Sequence, residues 1–422
     1  MPSIPALASG AEIPFSAEGL HRLGSGIQSD VYLIDQNSRL YSLLPLFLQN
    51  GESYVLKLYN SSRFDSFESI FLASSSHSHI SPILATGLFR INRDTVTNGH
   101  IFPRYYKLTG HFMQLRQRTQ IRLMTEIIET LATLHENNIA HLDLKCDNIM
   151  LKIPRDIVAS LSIIKSVPKY LEYNIPEYSE RHRYDLSSLS PEQEGRISIV
   201  ITDFGGSSTL FYSPCTSEAV TISPIVRPPE MVSPTHMLPI SSAADIWSLG
   251  ITLLELWGDL SIDIFAGVRS LHEIRELYRS EEKMTDLLNK YRDLGISSDI
   301  TDIISQCLQK NPHQRPTAFD LLQRPIFQEY LRVEMGTFPF PWNVDRMQVR
   351  CPTDKMFLPE IHNDERFDPY YAALTTSLNR FFNGRTEFYR FDHGSIQKSV
   401  RCLFLVLTSF GGKFFDLPNN FS

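Results

Sequence analysis

The sequence predicts a two-lobed α+β protein, with a small β-rich lobe ahead of a larger helical one. Three observations point there. Leu23 to Lys57 alternates β-branched and aromatic residues between glycine breaks; Ile121 to His141 repeats apolar residues at intervals of three and four; and Ser241 to about Phe327 keeps that helical period. The 422 residues, 42% hydrophobic and 21% charged, suffice for one large core or two to three ordinary ones.

In chain order, "LGSGIQSDVYLI" breaks at Gly24 and Gly26 and resumes as strand, and "SYVLKLY" alternates after the turn signal "QNGES". Between them "YSLLPLFLQ" reads as an apolar insertion in a strand connection, with no function assigned by pattern. "FDSFESIFLAS" places Phe64, Phe67, Phe71 and Leu72 at helical spacing behind Asp65. The long helix from Ile121 runs directly into "HLDLKCDNIML", His141 to Leu151, where His, Asp, Lys and Asn crowd an apolar stretch. Ile153 to Arg196 is rich in Pro, Ser and charge. It is expected to be a mobile excursion dispensable for folding, serving either as a spacer or as a docking element. Beyond Tyr330 the periodicity weakens. "DPYYAALTTSLNRFF" carries Tyr370, Leu374, Leu378 and Phe382 on one helical face, and with "CLFLVL" it suggests a partly folded extension docked on the main body.

Composition excludes several classes. A net charge of -7, with no long basic patch, gives no pull toward nucleic acid or a membrane surface. Five scattered cysteines, Cys146, Cys215, Cys307, Cys351 and Cys402, form no CxxC pair, which argues against a disulfide framework or zinc site and for a reducing compartment, cytoplasmic or nuclear. No apolar run reaches the roughly 20 residues of a spanning helix, and the N-terminus lacks the basic and apolar regions of a leader.

Taken singly, the polar signals have ordinary readings: two glycines make a β-turn, Lys57 an edge charge, Glu68 a helix surface. Their order changes this. "LGSGIQSDVY", "YVLK", "HLDLKCDN", "ITDFGGSS", "RPPE" ending at Glu230, "ADIWSLGITLLEL" and "CLQKNPHQRPT" with Arg315 follow one another in the pattern of a known family. From about Leu20 to Phe327 the chain resembles the protein kinases.

The resemblance implies the protein-kinase-like fold, with an N-lobe at about 20–106, a C-lobe at about 107–327 and an insertion at 153–196, flanked by extensions at 1–19 and 328–422. It implies a Mg-ATP-dependent enzyme that phosphorylates protein substrates. Gly24, Gly26, Val31 and Val55 match the nucleotide-covering strands, although Ser29 stands in place of the third glycine. Lys57 matches the phosphate-binding lysine, and Glu68 its helix partner. Asp143 matches the catalytic base and Lys145 the residue against the transferring phosphate. Asn148 and Asp203 would supply hard oxygen ligands for Mg²⁺. "DLK" at 143–145 favours Ser/Thr acceptors.

Other matches look architectural: Leu72, Ile83, His141 and Phe204 as an apolar column over Asp245, and Glu230 with Arg315 as a buried pair. Leu142 replaces the arginine by which most regulated kinases bind an activation-segment phosphate, so the resemblance implies a segment not switched on at that position. Val226, Pro228 and Ser223 sit near Glu230 where an aromatic, an alanine and a Ser or Thr are usual. A regulatory partner would bind at 153–196 or 328–422. The competing reading is a pseudokinase scaffold; the presence of Lys57, Asp143, Asn148 and Asp203 favours the enzyme.

Overall fold

The structure, a computed structural model, describes residues 20–25, 29–38, 40–44, 46–59, 68, 72, 77–90, 96–162, 184–209, 223–231, 241–258, 273, 276–278, 280–293 and 296–331. Gly26, most of the expected helix at 64–72, the middle of the 153–196 insertion and both terminal extensions, with the face through Tyr370 and the "CLFLVL" run, lie outside these residues.

The N-terminal sheet is antiparallel, in the order β1-β2-β3-β5-β4: β1 is His21–Ser25, β2 Ser29–Ile34, β3 Tyr54–Tyr59, β4 Ala85–Arg90 and β5 Val96–Pro103. Alternation splits each strand between two faces. Tyr32, Ile34, Tyr54, Leu56, Leu58, Ala85, Phe89 and Ile101 form an outer core, which the "YSLLPLFLQ" segment covers through Leu44 and Leu48, with Leu40 just before it. That apolar insertion is therefore the lid of a sheet that would otherwise leave one greasy face in water. Gly51, at φ +87°, makes the turn into β3 with an amide bonded to the Tyr41 hydroxyl.

After β6 (Tyr106–Lys107), α1 (Gln117–Glu136) runs through the C-terminal lobe with Leu123, Met124, Ile127, Ile128, Leu131 and Leu134 buried. Then come β7 (Ile139–Ala140), β8 (Ile149–Lys152), α2 (Arg155–Ser160), α3 (Pro191–Gly195), β9 (Ser198–Ile201) and β10 (Ser208–Thr209). Strands β6, β8 and β9 form a small sheet, and β10 pairs with β7. The remaining helices are α4 (Ser242–Gly258), α5 (Glu281–Asp293), α6 (Ser298–Cys307), α7 (Ala318–Leu322) and α8 (Pro325–Gln328). Gly250 lets α4 approach α6, because a Cβ there would lie 2.8 Å from the Leu308 side chain. Among the described residues, no helix is long and apolar enough to cross a membrane.

The 153–196 stretch departs from expectation at both ends. Ile153, Ile157, Leu186 and Leu189 are buried in the main core. Ser190 and Gln193 form a capping box on α3, and Glu194, 2% exposed, accepts from the Thr119 hydroxyl at 2.5 Å and pairs with Arg116 at 2.9 Å. Across the neck, the Asp185 amide donates to the Ser162 carbonyl at 2.9 Å. The flanks are thus structural: buried leucine and isoleucine side chains are each worth about 1.5–3 kcal/mol, which the polar composition concealed. Replacing 153–196 by a Gly-Ser linker should cost several such increments. Excising only 163–183 across the closed neck should leave the thermal midpoint within a few degrees. Differential scanning calorimetry of the two deletions checks both.

Candidate functional site

Strand geometry sets the upper half of the site. Gly24 stands opposite Val31, Val31 opposite Lys57, and Leu33 opposite Val55, so these residues share the sheet face away from the outer core. A Cβ on Gly24 would meet nothing within 4 Å, as expected of a strand bordering open space. Lys57, 8% exposed, donates to both oxygens of Glu68, at 2.9 and 2.7 Å, and to Asp203 Oδ1 at 2.7 Å. Burial alone would push the Lys57 pKa down; the Asp203 and Glu68 carboxylates outweigh it and hold the ammonium above its ordinary value. Asp203 is likewise pushed up by burial but held below its ordinary value by Lys57, with smaller help from His141 and Lys145.

The lower half is the turn after β7. Asp143 Oδ1 accepts the Ser223 amide at 2.8 Å, while Oδ2 accepts Lys145 Nζ at 2.8 Å and Asn148 Nδ2 at 3.1 Å. Lys145 also donates to the Ser223 hydroxyl at 2.5 Å. With Nδ2 committed to Asp143, the Asn148 Oδ1 is left as the oxygen for other contacts. The two halves join through backbone: the Thr202 amide donates to the Asn148 carbonyl at 2.9 Å, and His141 Nε2 lies 3.0 Å from the Thr202 carbonyl.

Beneath this turn lies Asp245 in the first turn of α4, with no exposure. It accepts the amides of His141 at 2.8 Å and Leu142 at 2.7 Å and lies 3.0 Å from His135 Nε2. Leu142, 1% exposed and at φ +65°, is a core residue in left-handed conformation. Leu72, Ile83 and Phe204 are buried in the same core, and the His141 ring meets Phe204 edge-on at 4.8 Å. Glu230 and Arg315 form a bidentate pair at 2.6 and 2.7 Å.

The site thus brings together Lys57, Glu68 and Asp203, and separately Asp143, Lys145 and Asn148 with Ser223. Two features escaped the sequence. Tyr59 donates to Glu68 Oε2 at 2.6 Å, a contact that the alternation in "YVLKLY" could have suggested because Tyr59 follows Lys57 by two. Glu126, 1% exposed, pairs with Arg122 and accepts the Ile199 amide at 3.0 Å, tying α1 to β9. Its partner on β9 lies 73 positions away, beyond any local pattern.

An Asn amide oxygen and one carboxylate suit a hard cation that also takes phosphate oxygens, and fit Mg²⁺ better than a soft metal. No group of three or more His, Cys, Asp or Glu side chains able to hold a metal occurs among the described residues.

Comparison with known proteins gives one consistent result. The family model for the protein kinase domain matches residues 93–327. The serine/threonine-protein kinase fray1 of Dictyostelium discoideum is 30% identical over 195 residues, 43% of this chain and 31% of that protein. The serine/threonine-protein kinase dst1 of the same organism is 29% identical over 167 residues, 39% of this chain and 21% of the other. Mitogen-activated protein kinase kinase 5 of Leishmania mexicana is 31% identical over 162 residues, 36% of this chain and 29% of that one. The chain spans less than a third of the length of these curated relatives.

Removing a partner from a buried charged pair costs about 3–5 kcal/mol. Glu230→Ala should therefore lower the unfolding free energy by about that amount, measured by urea titration. For Asp245, burial pushes the carboxyl pKa up, but the His135 hydrogen bond and charge, aided by His141 and the Leu142 amide, bring it below the ordinary 3.8. A depressed carboxylate contributes stability that is complete above the unfolded value and is lost as pH falls through the folded one. Asp245→Asn should thus be less stable at neutral pH, with its deficit shrinking as pH drops below about 4. Urea titrations of both proteins across that range check the sign.

Proposed function

The chain belongs to the protein kinase family, and from that premise we propose that it is an active Mg-ATP-dependent kinase for Ser or Thr hydroxyls of protein substrates. The observation that carries this reading is the simultaneous engagement of Lys57 by Glu68 and Asp203, with Asp143 held by Ser223, Lys145 and Asn148. Phosphoryl transfer asks little covalent chemistry of a protein, so positioning and charge neutralisation decide the rate.

In this reading Asp143 orients the acceptor hydroxyl and takes its proton. Its bonds to Ser223 and Asn148 leave the carboxylate fixed before substrate arrives, and Lys145, already 2.8 Å from it, neutralises charge on the transferred group. Lys57 holds the α- and β-phosphates, and Gly24, Val31 and Val55 line the strand face against which the nucleotide lies. Gly26 is assigned to the same loop by its place in the sequence. Asn148 and Asp203 would hold Mg²⁺, which when bound would neutralise charge on phosphate oxygens. The lysine of "DLK" supports Ser/Thr over Tyr.

Leu142 supports independence from an activation-segment phosphate, because its side chain lies in the core, where it receives no anion.

Initial-rate assays with ATP, Mg²⁺ and mixed protein substrates test the proposal. Asp143→Asn should lower turnover by at least about 100-fold, the lower range for a general base, and Asp203→Ala should remove most of the gain in ATP affinity that Mg²⁺ provides. Equal ATP affinity with and without Mg²⁺, and no turnover by the intact protein, would select the pseudokinase scaffold. Exhaustive phosphatase treatment should leave the initial rate within tenfold, about 1.4 kcal/mol in the barrier; a larger fall, restored by autophosphorylation, would assign control to another basic group such as Arg227.

A further inference from the structure

Lys57 and Tyr59 leave β3 on the same face, and both reach the buried Glu68. The Tyr59 hydroxyl donates to Glu68 Oε2 at 2.6 Å, the oxygen that also takes Lys57 Nζ at 2.7 Å, while the Phe204 amide donates to Oε1 at 3.1 Å. The Lys57 ammonium also lies 5.1 Å from the centroid of the Tyr59 ring. Tyr59 is itself held: it is 1% exposed, its ring meets His100 edge-on at 5.1 Å, and its carbonyl accepts the Thr97 hydroxyl from β5.

We propose that Tyr59 is a positioning residue for the phosphate-site lysine, its hydroxyl fixing the Glu68 carboxylate so that Lys57 stays engaged and the Phe204 amide stays docked. A carboxylate with 1% exposure and several lone-pair directions is costly to leave under-satisfied, and a hydrogen bond to a charged acceptor is among the stronger ones in a protein. The hydroxyl comes from a rigid aromatic on a central strand, so it adds an orientation that a flexible lysine cannot supply alone. The ring, placed near the ammonium, stabilises the charge that the carboxylate faces. Glu68 is thereby held from the sheet independently of any bound nucleotide.

The inference rests on the kinase reading for its catalytic consequence, but its geometric content can be read without turnover. Tyr59→Phe keeps the ring and removes the hydroxyl. Tyr54→Phe is the control, since it removes another buried hydroxyl from the same strand, one bonded to Asn50 and remote from Glu68. Hydrogen exchange followed by mass spectrometry, without nucleotide, should show the Phe204 amide exchanging at least fivefold faster in Tyr59→Phe and unchanged in Tyr54→Phe. With ATP, Tyr59→Phe should raise KM for ATP severalfold while leaving KM for the protein substrate unchanged; a merely structural defect would lower kcat alone through loss of folded enzyme. In a Glu68→Gln background the Tyr59→Phe substitution should add little, because both changes act on one carboxylate. Wild-type protection at Phe204 together with an unchanged KM for ATP would overturn the inference. Absent turnover in the intact protein would instead overturn the enzymatic reading, and the exchange measurement would still decide the role of Tyr59.

Discussion

Much of the site hangs on one buried carboxylate. Asp245 has no exposure, so its charge is tolerable only where donors replace the lost water. Two of those donors are consecutive amides, His141 and Leu142, and they converge on one carboxylate while Leu142 holds φ at +65°. A left-handed leucine costs roughly 1–2 kcal/mol, an amount that hydrogen bonds to a buried charge can offset. This constraint accounts for the company of residues from 141 to 143: the histidine ring turns to Phe204, the leucine enters the core, and the aspartate after them is free to meet Ser223, Lys145 and Asn148.

From that anchor a continuous line of contacts crosses the protein. Asp245 fixes His141, His141 packs on Phe204, the Phe204 amide binds Glu68, and Glu68 holds Lys57 on β3. All links but the last join elements distant in sequence, and each is either a hydrogen bond to a charge or a packed ring. Two carboxylates on one lysine make the far end of the line electrostatically tense. Glu68 and Asp203 share the single Lys57 cation, which donates to both.

The outline of the fold was legible because periodicity survives where packing is simple. The alternation of "YVLKLY" became β3 and the three-four repeat became α1, but the helix stops at Glu136 and β7, at Ile139–Ala140, leads into His141, where the sequence had the helix run on. The lysine, the two aspartates and the asparagine were legible through their order along the chain, whereas no local pattern joins Lys57 to Asp203 across 146 positions. The flanks of 153–196 show local signals that the polar composition of the stretch masks. "SPEQ" already carries a capping box, and "IPRDIVASL" spaces Ile153, Ile157 and Leu161 at intervals of four on one helical face. Glu194 illustrates the limit: in sequence it is one more surface acid, and only the fold places Arg116 and Thr119 against it.

The segment leading to Glu230 shows how an unusual sequence can still be held. Val226, standing where the family usually has an aromatic, is fully buried, and its carbonyl accepts the Ser248 hydroxyl at 2.9 Å. The neighbouring Ile225 carbonyl takes the Tyr278 hydroxyl, whose pKa burial drives upward, so it remains a donor at any physiological pH. Ser223 is fixed on Asp143 and Lys145, and Glu230 on Arg315. Four tethers over eight residues come from the turn after β7, α4, the helical residues at 276–278 and the loop before α7. None of these four tethers uses a phosphate. The described end of the segment, from Ser223 to Glu230, is thus tied to the body of the lobe through its own side chains and carbonyls.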